Sequence, residues 1–153
     1  MPFSCTNTKK EGNEKLTGII GRYYEDKMPV VVKFDSVMPD TTVTTKLPWF
    51  TVISWKYDGS ERNGMPSEPV NAKMLEFESE LDSIYSSNPI CKHAYNRTGN
   101  HLKEFNYYIA DRDIFMKQFN TALQHKTHYP IEINFYEDSA WVEQLTIIKD
   151  FLE

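Results

Sequence analysis

Three observations in this sequence predict an α+β domain. Strand-patterned and helix-patterned segments alternate in a definite order, the strand segments hold the β-branched and aromatic residues, and each helical segment has one apolar stripe. The most regular stretch is Trp49 to Tyr85, WFTVISWKYDGSERNGMPSEPVNAKMLEFESELDSIY, a strand, a turn-rich connection and an amphipathic helix in succession. With 153 residues, 40% hydrophobic and 25% charged, the chain can fill one sizeable core.

Residues 1–17 are polar and predict a flexible arm, which leaves 18–153 as a single domain. Gly18 to Tyr24 reads as a short strand or an aromatic turn. Pro29 then introduces Val30-Val31-Val32-Lys33-Phe34, a β-branched run that predicts a strand. Pro39-Asp40 ends that strand region, and the polar, β-prone Thr41 to Leu47 is expected as a loop or edge segment.

Pro48 opens the strand Trp49 to Tyr57. Phe50, Val52 and Ser54 alternate with Thr51, Ile53 and Trp55, so apolar groups occupy both faces, as in a central strand covered on both sides. Asp58-Gly59 and Asn63-Gly64 mark turns, and Pro66 keeps Met65 extended. The helix therefore starts after Pro66, capped by Ser67 or Glu68, with Pro69 in its first turn, where a missing N–H costs nothing. Val70, Met74, Phe77, Leu81 and Ile84 form its stripe. Asn88-Pro89 stops it.

Ile90 to Arg97 and Leu102 to Ala110 predict two strands joined at Thr98-Gly99-Asn100-His101, a hairpin signal. Phe105, Tyr107 and Ile109 share one face of the second strand, and Asn106 and Tyr108 the other. Asp111 or Asp113 caps a helix expected through Lys126, with Phe115, Phe119, Ala122 and Leu123 inward. Ile131, Ile133 and Phe135 alternate with Glu132, Asn134 and Tyr136 in a last strand. Asp138 caps a last helix with the stripe Trp141, Leu145, Ile148 and Leu152. From Trp49 onward the order is β-α-β-β-α-β, which predicts a ferredoxin-like antiparallel sheet with both helices on one face, extended by an N-terminal strand and a C-terminal helix.

No run approaches the ~18 apolar residues of a membrane span, and the first fifteen residues lack a signal-peptide core, so a cytosolic protein with reduced Cys5 and Cys91 is expected. In that setting Asn96-Arg97-Thr98 is not a glycosylation site.

The sequence supplies little catalytic grammar. His125 and His128 straddle a helix end without accompanying ligands. Cys91 and His93 point the same way on a strand, but no third group to orient them can be named. Paired carboxylates lie side by side on one helix rather than across a cleft, and phosphate loops and nucleophile elbows are missing. Nucleic-acid binding is disfavoured by a net charge of −5 and dispersed basic residues, despite the sheet aromatics Tyr107 and Tyr108. No cofactor or metal is called for.

Charge distribution points elsewhere. Residues 58–88 hold seven acids against Arg62 and Lys73, and residues 130–153 hold six against Lys149, a net of −5 in each segment. An acidic field of this kind steers a basic partner. The expectation is a non-enzymatic inhibitor or immunity protein that neutralises a basic toxin or nuclease by direct contact. Glu76, Glu78, Glu80, Asp82, Glu137, Asp138 and Glu143 are its candidate partner-binding residues. The alternative is a small-molecule-binding domain or enzyme using Tyr107, Tyr108, His93 and Trp55 around an open sheet face.

The succession Pro29 with its valine strand, Pro48 with its strand, Asn63-Gly64-Met65-Pro66, the acidic helix, Thr98-Gly99, Tyr107-Tyr108 and Asp138-x-x-Trp141 resembles the bacterial family catalogued as domain of unknown function 695. The likeness covers roughly residues 28 to 145. It implies no activity and carries over no functional residue. The resemblance extends to a relation in fold with the regulator of ribonuclease E activity B, an acidic, non-catalytic, nuclease-binding protein.

Overall fold

A computed structural model of the protein describes residues 4–7, 18–124 and 128–152. The fold is α+β, with one antiparallel sheet and four α-helices among the described residues. The strands are β1 (Ser4–Asn7), β2 (Gly18–Glu25), β3 (Met28–Asp35), β4 (Trp49–Lys56), β5 (Cys91–Gly99), β6 (Leu102–Ile109) and β7 (Ile131–Glu137). They lie side by side in the order β1-β2-β3-β5-β6-β4-β7. The helices are α1 (Thr41–Thr44), α2 (Glu68–Tyr85), α3 (Arg112–Leu123) and α4 (Val142–Leu152).

Ser4–Asn7, within the expected flexible arm, form β1 and pair with Ile19–Arg22. The rest of that arm lies outside the described residues. Gly18–Glu25 is a full strand, and β2 and β3 form a hairpin whose two turn residues, Asp26 and Lys27, both have positive φ (49° and 67°). That is the left-handed pair whose twist matches antiparallel strands. Asn100 and His101 do the same between β5 and β6.

Thr41–Thr44 is a helical turn rather than a loop or edge strand, because the Asp40 carboxylate accepts the Thr42 N–H and starts it. In α2, Ser67 caps by accepting the Val70 N–H, and Pro69 sits in the first turn. Asp111, not Asp113, caps α3 by accepting the Ile114 N–H at 2.9 Å. α3 ends at Leu123, and Lys126, its expected end, lies outside the described residues.

Two apolar layers sandwich the sheet. Met74, Phe77, Leu81 and Tyr85 of α2 and Phe115 and Phe119 of α3 pack on Ile53, Trp55, Phe105, Tyr107 and Ile109. Ala122, expected inward, is exposed, and Met116 packs on this layer instead. The opposite face is not open. Val30, Val32, Phe34, Phe50 and Tyr108 lie under Trp141, Ile147, Ile148 and Phe151.

The expected stripe of α4 holds only in part: Trp141 is buried and Ile148 packs inward, but the other two members do not. Leu145 and Leu152 are exposed, and the inward side carries Gln144, Ile147, Ile148 and Phe151. The cause is Trp141, whose φ of 56° interrupts the helical path, so the phase is set from Val142 onward. Asp138 accepts the N–H groups of Val142 and Glu143 and the Tyr108 hydroxyl, tying the helix start to the sheet.

Beside α4, Arg97 is nearly buried and pairs with Glu25 at 3.3 Å. Burial alone would raise the Glu25 pKa, but hydrogen bonds from Tyr23 and Asn100 and the Arg97 guanidinium hold it below the ordinary range. A carboxylate with a depressed folded pKa adds stability above its unfolded pKa, and that stability disappears as pH falls through the folded value. Burial instead raises the neighbouring Glu104, partly offset by Arg97 and Asn106, so Glu104 contributes with the opposite sign. Glu25→Gln isolates the first effect. Urea titrations below about pH 4.3 should show a shallower acid loss of stability than in the unsubstituted protein. Identical slopes would show that Glu25 carries no linkage.

Candidate functional site

The seven sequence-predicted partner residues do not form one patch. Glu76, Glu78, Glu80 and Asp82 lie on α2, over one face of the sheet, whereas Glu137, Asp138 and Glu143 lie where β7 leads into α4, which covers the other face. On a 3.6-residue helix Glu78 and Asp82 share one flank, and Glu76 and Glu80 turn to the far side. Glu78 is spent on an internal contact, accepting the Asn96 Nδ2–H at 2.9 Å. Asp138 is spent on Tyr108 and the α4 cap. Glu76 and Asp82 remain exposed on α2.

The residues of the alternative site part company too. Trp55 is packed against Phe77 and Tyr129. Tyr108 is fully buried, stacked on Trp141 with centroids 3.9 Å apart and planes within 7°. Tyr107 faces α2 and is 4% exposed, so neither tyrosine offers a free face for stacking a nucleobase. Tyr107 and His93 do meet, ring edge to face at 5.2 Å.

They meet at a groove of about 700 Å³. Its origin is topological. The β3–β5 ladder stops at Phe34↔Tyr95, because the chain turns away after Asp35, whose carboxylate accepts the Val37 N–H. Cys91 to His93 are left paired on the β6 side alone. The vacated strand's width is bounded by Thr42, Val43 and Lys46 on one side and by Asp82 and Tyr85 on the other.

The third group that sequence reasoning missed at this site is Asn96. His93 Nε2 lies 2.7 Å from Asn96 Oδ1. Because Asn96 gives its Nδ2–H to Glu78, its Oδ1 must accept, which assigns the proton to His93 Nε2 and leaves Nδ1 as an acceptor. A β-bulge between His93 and Tyr95 makes this possible, since it brings His93 and Asn96, three residues apart, to one face. Protein packed around the imidazole lowers its pKa against the upward pull of Asn96, Glu78 and Asp82, while its exposed edge on the groove keeps desolvation incomplete.

Cys91 does not complete a nucleophilic pair. It is buried, its Sγ lies 3.6 Å from the Tyr85 carbonyl, and desolvation pushes the thiol up to about 12, so it supplies almost no thiolate at neutral pH. Among the described residues no group of three or more His, Cys, Asp or Glu is placed to hold a metal ion, and no helix is long and apolar enough to cross a membrane. His101 serves the scaffold by accepting the Gly59 N–H at 3.0 Å, and His125 lies outside the described residues.

No curated protein and no solved structure matches the chain. A family model does, over residues 23–145, from inside β2 to the first residues of α4, and its description is a family of unknown function, DUF695. The chain belongs to that family.

Proposed function

We propose that the protein is a non-enzymatic binding protein of the inhibitor or immunity type, docking a basic protein partner on the outward face of α2. The observation that carries this reading is the make-up of that face. Leu75 stands 55% exposed among the small exposed residues Ala72, Ser79 and Ser83, with Glu68 and Glu76 at the rim. An apolar anchor that a partner can approach closely, with two glutamates at its rim, suits a helix or loop bearing Lys or Arg. The net −5 of residues 58–88 favours such an encounter over binding to nucleic acid or to acidic surfaces. The divergence of Glu137, Asp138 and Glu143 from this face takes them out of the proposed interface.

For the scaffold we read β4-α2-β5-β6-α3-β7 as a ferredoxin-like unit. Support comes from the order β5-β6-β4-β7, in which β6 separates β5 from β4, the two strands that α2 joins, as a split βαβ requires.

Capture on the immobilised protein, followed by reconstitution with the purified captured protein, tests the docking reading. Affinity should weaken as salt rises from low to physiological ionic strength, and the paired change Glu68→Lys with Glu76→Lys should cut it by about tenfold or more. Leu75→Ala should cost about 1–2 kcal/mol of binding while leaving the melting temperature in place. An affinity indifferent to salt and to both charge reversals rejects this interface.

A further inference from the structure

The groove beside β5 is lined by charges of both signs, Asp35 and Asp82 together with Lys46 and Lys92. Lys92 alternates with Cys91 and His93 and so stands on the α4 side of the sheet, and Lys46, next to buried Leu47, lines the same groove. Asp82 comes from α2 on the other side, beside Tyr107 and His93. The Tyr107 hydroxyl and His93 Nδ1 have no hydrogen-bond partner among the described residues, and both residues line the groove. Behind them Asn96 and Glu78 fix the imidazole, so the acceptor is oriented before any ligand arrives. A volume of about 700 Å³ falls within the ~300–1,000 Å³ typical of small-molecule sites.

We propose that this groove binds an amphoteric amino-carboxylic ligand, a free amino acid or a short peptide, with its carboxylate on Lys46 and Lys92 and its ammonium on Asp82. A purely anionic ligand is opposed by Asp35 and Asp82, and a purely cationic one by the two lysines, whereas a molecule carrying both charges finds a partner for each. His93 Nδ1 accepts a hydrogen bond from an N–H of the ligand. The Cys91 N–H is already given to the Asn88 carbonyl at 3.3 Å, so the main-chain groups that the β5 edge, unpaired by β3 here, offers to a ligand longer than one residue are those around His93, in the manner of strand addition. This site is separate from the outward face of α2.

Calorimetry on the intact protein with single amino acids, unblocked tripeptides, and the same tripeptides N-acetylated or C-amidated tests the assignment. At least one unblocked compound should bind, and the single amino acids and tripeptides distinguish the two sources of the same chemistry. Blocking either terminus should weaken binding by about tenfold or more, and Lys92→Glu and Asp82→Asn should each do the same without changing the melting temperature. His93→Gln should weaken binding less than either charge change. The proposal is overturned if no unblocked compound binds, if blocked and unblocked peptides bind alike, or if the Lys92→Glu, Asp82→Asn double variant keeps its affinity. No partner protein enters this experiment, so its failure leaves docking on α2 untouched.

Discussion

Replacing Trp141 with alanine should cost about 3–5 kcal/mol of folding stability, the usual range for deleting a fully buried large aromatic side chain. The indole is 1% exposed, stacks on Tyr108, and donates its Nε1–H to the Leu47 carbonyl at 3.0 Å. Tyr108 in turn donates to Asp138 at 2.7 Å, and Asp138 caps α4. One ring therefore holds the loop before β4, the C-terminal end of β6 and the start of α4 together. Trp141→Phe separates the parts. It keeps most of the stack and forfeits the hydrogen bond, for a smaller loss of about 1–2 kcal/mol, including the Leu47 carbonyl left unsatisfied. Urea unfolding followed by far-UV circular dichroism measures both, and a loss below about 1 kcal/mol for alanine would show that α4 does not depend on this residue.

Gly99→Ala should be nearly as damaging, at about 3 kcal/mol, although it adds one methyl group. Gly99 has φ of +150°, a region L-residues rarely occupy, and an added Cβ would meet the Pro29 carbonyl oxygen and, at 2.7 Å, Val30 Cα. Those neighbours are backbone atoms of β3, paired to Gly99 through Val30, so relief requires β3 to move away from β5. Ser79→Ala on exposed α2 provides the comparison and should stay within about 0.5 kcal/mol. A Gly99→Ala melting temperature equal to that of Ser79→Ala would refute the close approach.

What the sequence made legible follows from which signals are local. The α2 stripe and the alternation in β4 depend on spacing and residue type alone and are present as read, and of the two cap residues read for α2, Ser67 and Glu68, the first is the cap. The β2–β3 hairpin was hidden because Asp26-Lys27 adopts the left-handed turn without glycine. Half of the α4 stripe, Trp141 and Ile148, is inward as read, and Leu145 and Leu152 are not, because a buried tryptophan with positive φ looks, in sequence, like the first helical member of a stripe.

At the candidate site, regular alternation would place His93 and Asn96 on opposite faces, and only the bulge reverses that. The acidic residues were countable, but their division between two sides of a sheet depends on where α4 goes, a long-range fact that charge patterning does not contain.

The route of α4 also bears on how the chain acquires its structure. Phe151 packs against Phe34 and Tyr23 and beside Gly21, contacts that span more than a hundred residues of sequence. During synthesis, the face built from Val30, Val32, Phe34, Phe50 and Tyr108 has no lid until residues 141–152 have emerged. Until then the nascent domain presents an apolar surface of the kind that chaperones bind and that seeds aggregation. Closing such a long loop is slow relative to pairing the β2–β3 and β5–β6 hairpins. Acquisition of the α4 layer should therefore be the last step of folding and the one most dependent on an intact C-terminal segment.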